Sequence, residues 1–151
     1  MANVRIGSHP SHKLQVSEFI TSAKQLTWKD SGKMFFVAQN TADYVVNLPK
    51  LTAEIAGWNA TFLLTNASSG GDDVQINAYG VPLDGGSGDD ENTFYIIESA
   101  GNTSEQTQKD GVKFEEDQAQ SPNMIQICTD GELWYVNVAG SDAADIEPVP
   151  E

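Results

Sequence analysis

Short apolar runs recur along the chain at intervals of about 8 to 16 residues, each bounded by Gly, Asn, Asp or Pro, and this rhythm constrains the fold more than any other feature. Met34 to Val37, Tyr44 to Leu48, Thr61 to Thr65, Val74 to Ala78 and Phe94 to Ile97 are rich in β-branched and aromatic residues, which suit a pleated, half-buried surface. Two further runs, Met124 to Cys128 and Leu133 to Val138, are joined at Asp130-Gly131. An Asp-Gly pair between alternating apolar runs is a strong hairpin signal. Strands of this kind pack as two layers or close on themselves, so the expected fold is all-β: an antiparallel β-sandwich or barrel with a flexible N-terminal arm and at most one short helix. The helical turn falls in Leu48 to Trp58, where Pro49 stands early, Leu51 and Ile55 are four apart and Gly57 stands where a helix would stop. Leu51, Ile55 and Trp58 are expected to lid the end of the sheet.

A chain of 151 residues suits one domain with a single core. The expected organisation is an arm over residues 1–18, a β domain over 19–139 and an acidic, loose tail over 140–151. Asn66 to Val74 reads as a turn and Gly80 to Phe94 as a long acidic loop. The polar stretch from Glu98 to Asn123 is too long to be structureless inside a compact domain, and Val112-Lys113-Phe114 is its candidate edge strand. No apolar run approaches a membrane span and the first residues do not read as a signal peptide, so a soluble protein made in a cytoplasm is expected.

Charge is segregated. Residues 1–69 carry a net +2 and residues 70–151 a net −16, together the −14 of the chain. So acidic a surface repels nucleic acid and anionic membranes, and neither is an expected partner.

The residues that carry chemistry elsewhere do not assemble here into a motif. Gly32-Lys33 resembles the end of a phosphate loop, but Thr27 stands where the early glycine should be and Met34 where the magnesium-holding hydroxyl should be, so a turn before a strand is expected. General acid–base catalysis needs two facing carboxyl groups, one of them desolvated. Asp72, Asp73, Asp84, Asp89, Asp90, Glu91, Glu115, Glu116 and Asp117 all lie in polar loop sequence, where solvated charge is the default. His9 and His12 stand together in the arm with no nucleophile elbow anywhere, and two ligands make a weak metal site. Asp84 to Glu91 offers oxygen ligands for a loose calcium site but lacks the spacing of an EF-hand; no other cofactor is expected. Cys128, the one cysteine, excludes an internal disulfide and reads as a small core residue. Trp28, Trp58, Trp134, Tyr44, Tyr79 and Tyr95 are spread about one per element, as a sandwich core and its ends require.

The order of the segments carries a resemblance. Asp30-Ser31-Gly32-Lys33, Phe35-Phe36-Val37, Tyr44 to Pro49, Ala56-Gly57-Trp58, Phe62-Leu63-Leu64, Val74 to Ala78, Gly80, Thr129-Asp130-Gly131 and Trp134-Tyr135-Val136 together resemble the small all-β virion modules of tailed phages, most of all capsid decoration (cement) proteins. The likeness spans residues 26–138 and departs from the compact pattern at Ser99 to Asn123. It implies a non-enzymatic structural protein on the capsid exterior, a homo-oligomer, expected to be a trimer, that binds the major capsid protein. Val4, Arg5, Ile6, His9 and Lys13 of the arm are the expected assembly contacts on that reading. A fibre domain or a receptor- or carbohydrate-binding module is the alternative. It needs an exposed aromatic patch, so burial of Trp28, Trp58 and Trp134 together would count against it.

Overall fold

The computed structural model describes residues 16–39, 42–66, 72–83, 85–86, 88–90, 93–97, 106–115, 119, 122–139 and 146–149. Among them are twelve strands: β1 (Ser17–Ile20), β2 (Lys24–Gln25), β3 (Lys33–Ala38), β4 (Tyr44–Asn47), β5 (Asn59–Asn66), β6 (Val74–Asn77), β7 (Phe94–Ile97), β8 (Gln106–Lys109), β9 (Gly111–Phe114), β10 (Met124–Thr129), β11 (Trp134–Ala139) and β12 (Ile146–Val149). They form a seven-stranded sheet in the order β1-β3-β5-β10-β11-β7-β8 and a five-stranded sheet in the order β12-β9-β6-β4-β2. The two pack as a sandwich, and among the described residues no barrel closes.

The pairings correct the antiparallel part of the expectation. In the first half the chain alternates between layers: β1, β3 and β5 lie in one sheet, β2, β4 and β6 in the other. Each return to a sheet runs in the direction of the previous visit, so β1–β3, β3–β5, β2–β4 and β4–β6 are all parallel, as is β7–β11. The remaining pairs are antiparallel, which makes both sheets mixed. A crossing between layers needs a turn as much as a hairpin does, so evenly spaced turn residues do not distinguish the two.

The Asp130-Gly131 hairpin forms as read, with Thr129 opposite Trp134. The described residues of Thr27 to Asn40 form no phosphate loop: Trp28–Asp30 is one 3-10 turn, Gly32 takes the left-handed conformation (φ 79°), and β3 follows. Lys33, for which no chemistry was expected, bonds the carboxylates of Asp30 at 2.6 Å and Glu18 at 3.3 Å.

The core lies between the layers. Phe35, Val37, Phe62, Leu64, Ile125, Ile127 and Val136 face inward from the larger sheet, and Val46, Ile76, Val112 and Phe114 from the smaller. Burying each such side chain contributes about 1.5–3 kcal/mol. The lid expected at one end is present as a single 3-10 turn, Ala53–Ile55: Leu51 and Ile55 pack on the core, and Trp58 is buried with its ring edge-on to Trp134, centroids 5.3 Å apart.

Three segments differ from the sequence reading. The arm boundary after residue 18 falls within β1. Val112-Lys113-Phe114 is a strand but an interior one, between β6 and β12. Ile146–Val149, read as loose tail, is β12, with Ile146 and Val149 buried and Pro148 tolerated because β12 is an edge strand whose outer side needs no N–H donor.

Candidate functional site

Successive residues of a strand point to opposite faces, so the register of the larger sheet determines what its outer face displays. Phe19 lies opposite Phe36, Phe36 opposite Leu63, Leu63 opposite Met124, and Met124 opposite Ala139. These five residues form one apolar row across β1, β3, β5, β10 and β11, with the Phe19 and Phe36 rings 5.0 Å apart and Phe19 73% exposed. The next row is Ser17, Met34, Thr61, Gln126 and Asn137, and beyond it lie Asn59, Cys128 and Tyr135. None of these outward residues is acidic or basic, although 20% of the chain is charged. A shallow depression of about 330 Å³ opens among Asn59, Thr61, Gln126, Cys128, Tyr135 and Asn137.

The outer side of the smaller sheet is built differently. Gln75 and Asn77 there are buried, and the Asn77 amide donates to the Pro82 carbonyl at 2.7 Å, so the chain's own loop covers them. Lys113 beside them bonds Asp73 at 2.9 Å and Glu115. Burial works against the Lys113 ammonium, but hydrogen bonds to Glu115 and Asp73 and their charges outweigh it, and its pKa is raised.

This geometry corrects two sequence readings. Cys128 is exposed: Ile125, Ile127 and Thr129 take the inward positions of β10, leaving Met124, Gln126 and Cys128 outside. Asp72, Asp73 and Asp90 are buried where solvated loop charge was expected. Asp90 accepts the Leu51 N–H at 2.6 Å, and Asp73 and Glu115 are bridged by Lys113 instead of facing each other across a cleft. Asp89 is exposed and bonds Lys50 at 2.9 Å. Asp84, Glu91, Glu116 and Asp117 lie outside the described residues, and Asp84 and Glu91 are two of the four carboxylates of the calcium candidate. Val4, Arg5, Ile6, His9, His12 and Lys13 also lie outside. Among the described residues no group of three His, Cys, Asp or Glu side chains could hold a metal.

The three tryptophans divide. Trp58 and Trp134 are buried, whereas Trp28, at the start of the first 3-10 turn, is 66% exposed. Trp28 separates two adjoining depressions, one of about 480 Å³ and one of about 210 Å³, that share Trp28, Glu54 and Ile55 in their walls.

One sequence signal pointed to the uncharged face. Met34-Phe35-Phe36-Val37 and Phe62-Leu63-Leu64 are unbroken apolar runs, a pattern typical of strands covered on both faces. In this fold their inner residues meet the core and their outer residues meet no other layer of the described chain. Compared with known proteins, the chain matches no family model and no curated protein is similar to it, which leaves the geometry and charge of these surfaces as the ground for a functional reading.

Proposed function

We propose that this chain is a non-enzymatic structural protein that docks, through the outer face of its seven-stranded sheet, onto the outside of a tailed-phage capsid and stabilises it there as a decoration (cement) protein, working as a homotrimer. The observation that carries the reading is the uncharged outward face with its apolar row from Phe19 to Ala139. Docking the apolar row and the polar row beside it removes apolar surface from water without stripping an ion of its hydration, the large cost in burying a charged surface. The Asp130 carboxylate that accepts from the Tyr135 hydroxyl at 2.8 Å stands at the hairpin end of the face. The acidic remainder stays in solvent and keeps neighbouring copies apart. Residues 1–16 precede β1, the edge strand of the same face, and on this reading Val4, Arg5, Ile6, His9 and Lys13 add mildly basic contacts to the shell.

The test is co-sedimentation with empty phage-type heads, with light scattering for the mass of the free protein. The wild-type chain should be a trimer and should pellet stoichiometrically. Leu63→Lys and Leu63→Glu should both weaken pelleting by at least about tenfold, because a desolvated charge without a partner is unfavourable whatever its sign. Removal of residues 1–13 should abolish it while the body stays folded. If both Leu63 variants fold and pellet like wild type, the face is not the docking surface. A monomer that remains in the supernatant would overturn the decoration reading.

A further inference from the structure

A second surface, at the end of the sandwich and adjoining the uncharged face where the Asn59 N–H donates to the Ser31 hydroxyl, is built around Trp28. We propose that it is a saccharide-binding site that takes a neutral pyranose ring against the exposed indole. Trp28 is two-thirds exposed while the other two tryptophans are buried. Single exposed apolar side chains are ordinary on protein surfaces, but this one stands between two depressions, and the lining of the larger one mixes apolar Pro49 and Ile55 with Lys50, Thr52 and Glu54.

That mixture matches the chemistry of a sugar. The C–H face of a pyranose is apolar and stacks on an aromatic plane, while its rim of hydroxyl groups both donates and accepts hydrogen bonds. Glu54 is exposed and makes no hydrogen bond or ion pair in the described chain, so its carboxylate is open to a hydroxyl donor. The Lys29 ammonium lies over one face of the indole, 5.5 Å from its centroid, a cation–π contact that a sugar stacking on that face would displace. The net charge of the chain disfavours nucleic acid as the stacking partner.

The walls are held in place before any ligand arrives. The Leu51 N–H bonds Asp90, Lys50 bonds Asp89 at 2.9 Å, and the Trp58 indole N–H donates to the Thr27 carbonyl at 3.1 Å, directly before Trp28. Thr27 and Asp30 close the turn that carries Trp28: the Thr27 N–H and hydroxyl both bond the Asp30 carboxylate, at 2.8 and 2.9 Å. A platform braced in this way loses little conformational freedom on binding, which favours even a weak ligand.

The experiment is titration of the intact protein with cellotetraose, maltotetraose and chitotetraose, read by tryptophan fluorescence and by isothermal calorimetry. At least one oligosaccharide is expected to perturb the emission and release heat. Trp28→Ala should weaken that binding at least about tenfold, Trp28→Phe less, and Glu54→Gln about threefold or more, all with unchanged thermal unfolding. Trp28→Ala should leave shell pelleting unaltered, so failure here and failure of the capsid reading are separable. The proposal is overturned if none of the three sugars binds, if Trp28→Ala binds as wild type does, or if the cleft instead captures a peptide from a display library and that peptide is not displaced by sugar.

Discussion

Replacing Gly131 with alanine should cost more than the same change at Gly32, and the difference measures how firmly the β10–β11 hairpin is braced against the Ala53–Ile55 turn. Both glycines have a left-handed backbone, φ 98° at Gly131 and 79° at Gly32. That conformation costs alanine about 1–2 kcal/mol, and the smaller entropy of its unfolded chain offsets part of this, leaving about 1 kcal/mol. Around Gly32 a Cβ would meet nothing within 4 Å, so the conformational cost is the whole effect there. At Gly131 the Cβ would lie 3.0 Å from both the Ala53 Cα and the Thr52 carbonyl oxygen. Those are backbone atoms that cannot rotate aside, so the hairpin or the turn must move, at about 1–3 kcal/mol for a crowded site of this kind. The expected losses are about 1 kcal/mol for Gly32→Ala and about 2–4 kcal/mol for Gly131→Ala. Urea unfolding would measure both directly, and in a thermal scan they correspond to about 2–4 °C per kcal/mol for a chain of this size. Equal losses at the two sites would refute the bracing, and with it the rigid placement of Glu54 beside Trp28.

Lys113→Met should destabilise by about 1–3 kcal/mol in urea unfolding, because buried Asp73 and partly buried Glu115 would lose the ammonium that bridges them; a neutral result would show that water replaces it freely. Burial raises the pKa of the Asp30 carboxyl, but hydrogen bonds from Lys33 and from the Thr27 N–H and hydroxyl outweigh it and hold the pKa below its usual value. Its contribution is therefore present above the unfolded pKa, about 4, and is lost as pH falls through the lower folded value. Asp30→Asn should flatten the acid limb of the stability profile, and an unchanged slope would show that other carboxylates carry it. The Cys128 thiol should react with Ellman's reagent in the native, dilute protein about as fast as in the unfolded chain, and should become protected on pelleted shells; protection in the dilute protein would mean that β10 is turned the other way.

The strands that alternate or run apolar between turn residues were legible: β3 to β7, β10 and β11 lie where the pattern placed them to within a residue or two. β2 has only two residues, β8 is Gln-Thr-Gln-Lys with no apolar side chain, and β12 carries Glu147 and Pro148, so none of the three has a local signal strong enough to stand out from loop sequence. Pairing direction was not legible, because it depends on which layer a chain enters after a turn, and Gly, Asn and Asp mark crossings and hairpins alike. The same gap hid which residues of β10 complete the uncharged face that the apolar runs of β3 and β5 had signalled. Alternation in Met124 to Thr129 separates the residues into two sets, but only the strands on either side decide which set faces the core, and the two isoleucines took it from Met124 and Cys128. Trp28 was read with the core aromatics because its element was mistaken for a plain turn; the capping pair Thr27 and Asp30, three apart, was the local sign of a helical turn that carries the indole outward.

The size of the uncharged face bears on how it could work. Five strands about 4.8 Å apart, each exposing about 17 Å of its length, cover about 400 Å², roughly half the area per partner of a stable protein interface. Docking the exposed part of Phe19 would contribute about 1–2 kcal/mol, while Phe36, Leu63 and Met124 are already partly buried and Ala139, though exposed, has only a methyl group to bury. Set against a cost of association of about 4–15 kcal/mol, one such face holds a partner weakly. Three faces presented together by a trimer to three sites of a regular lattice make the second and third contacts intramolecular, and a weak face then suffices for tight attachment. The size of the face thus favours an oligomer on a repeating surface over a monomer on a single receptor. It also makes a specific demand: a variant locked as a monomer should lose capsid attachment far out of proportion to any change in the face itself.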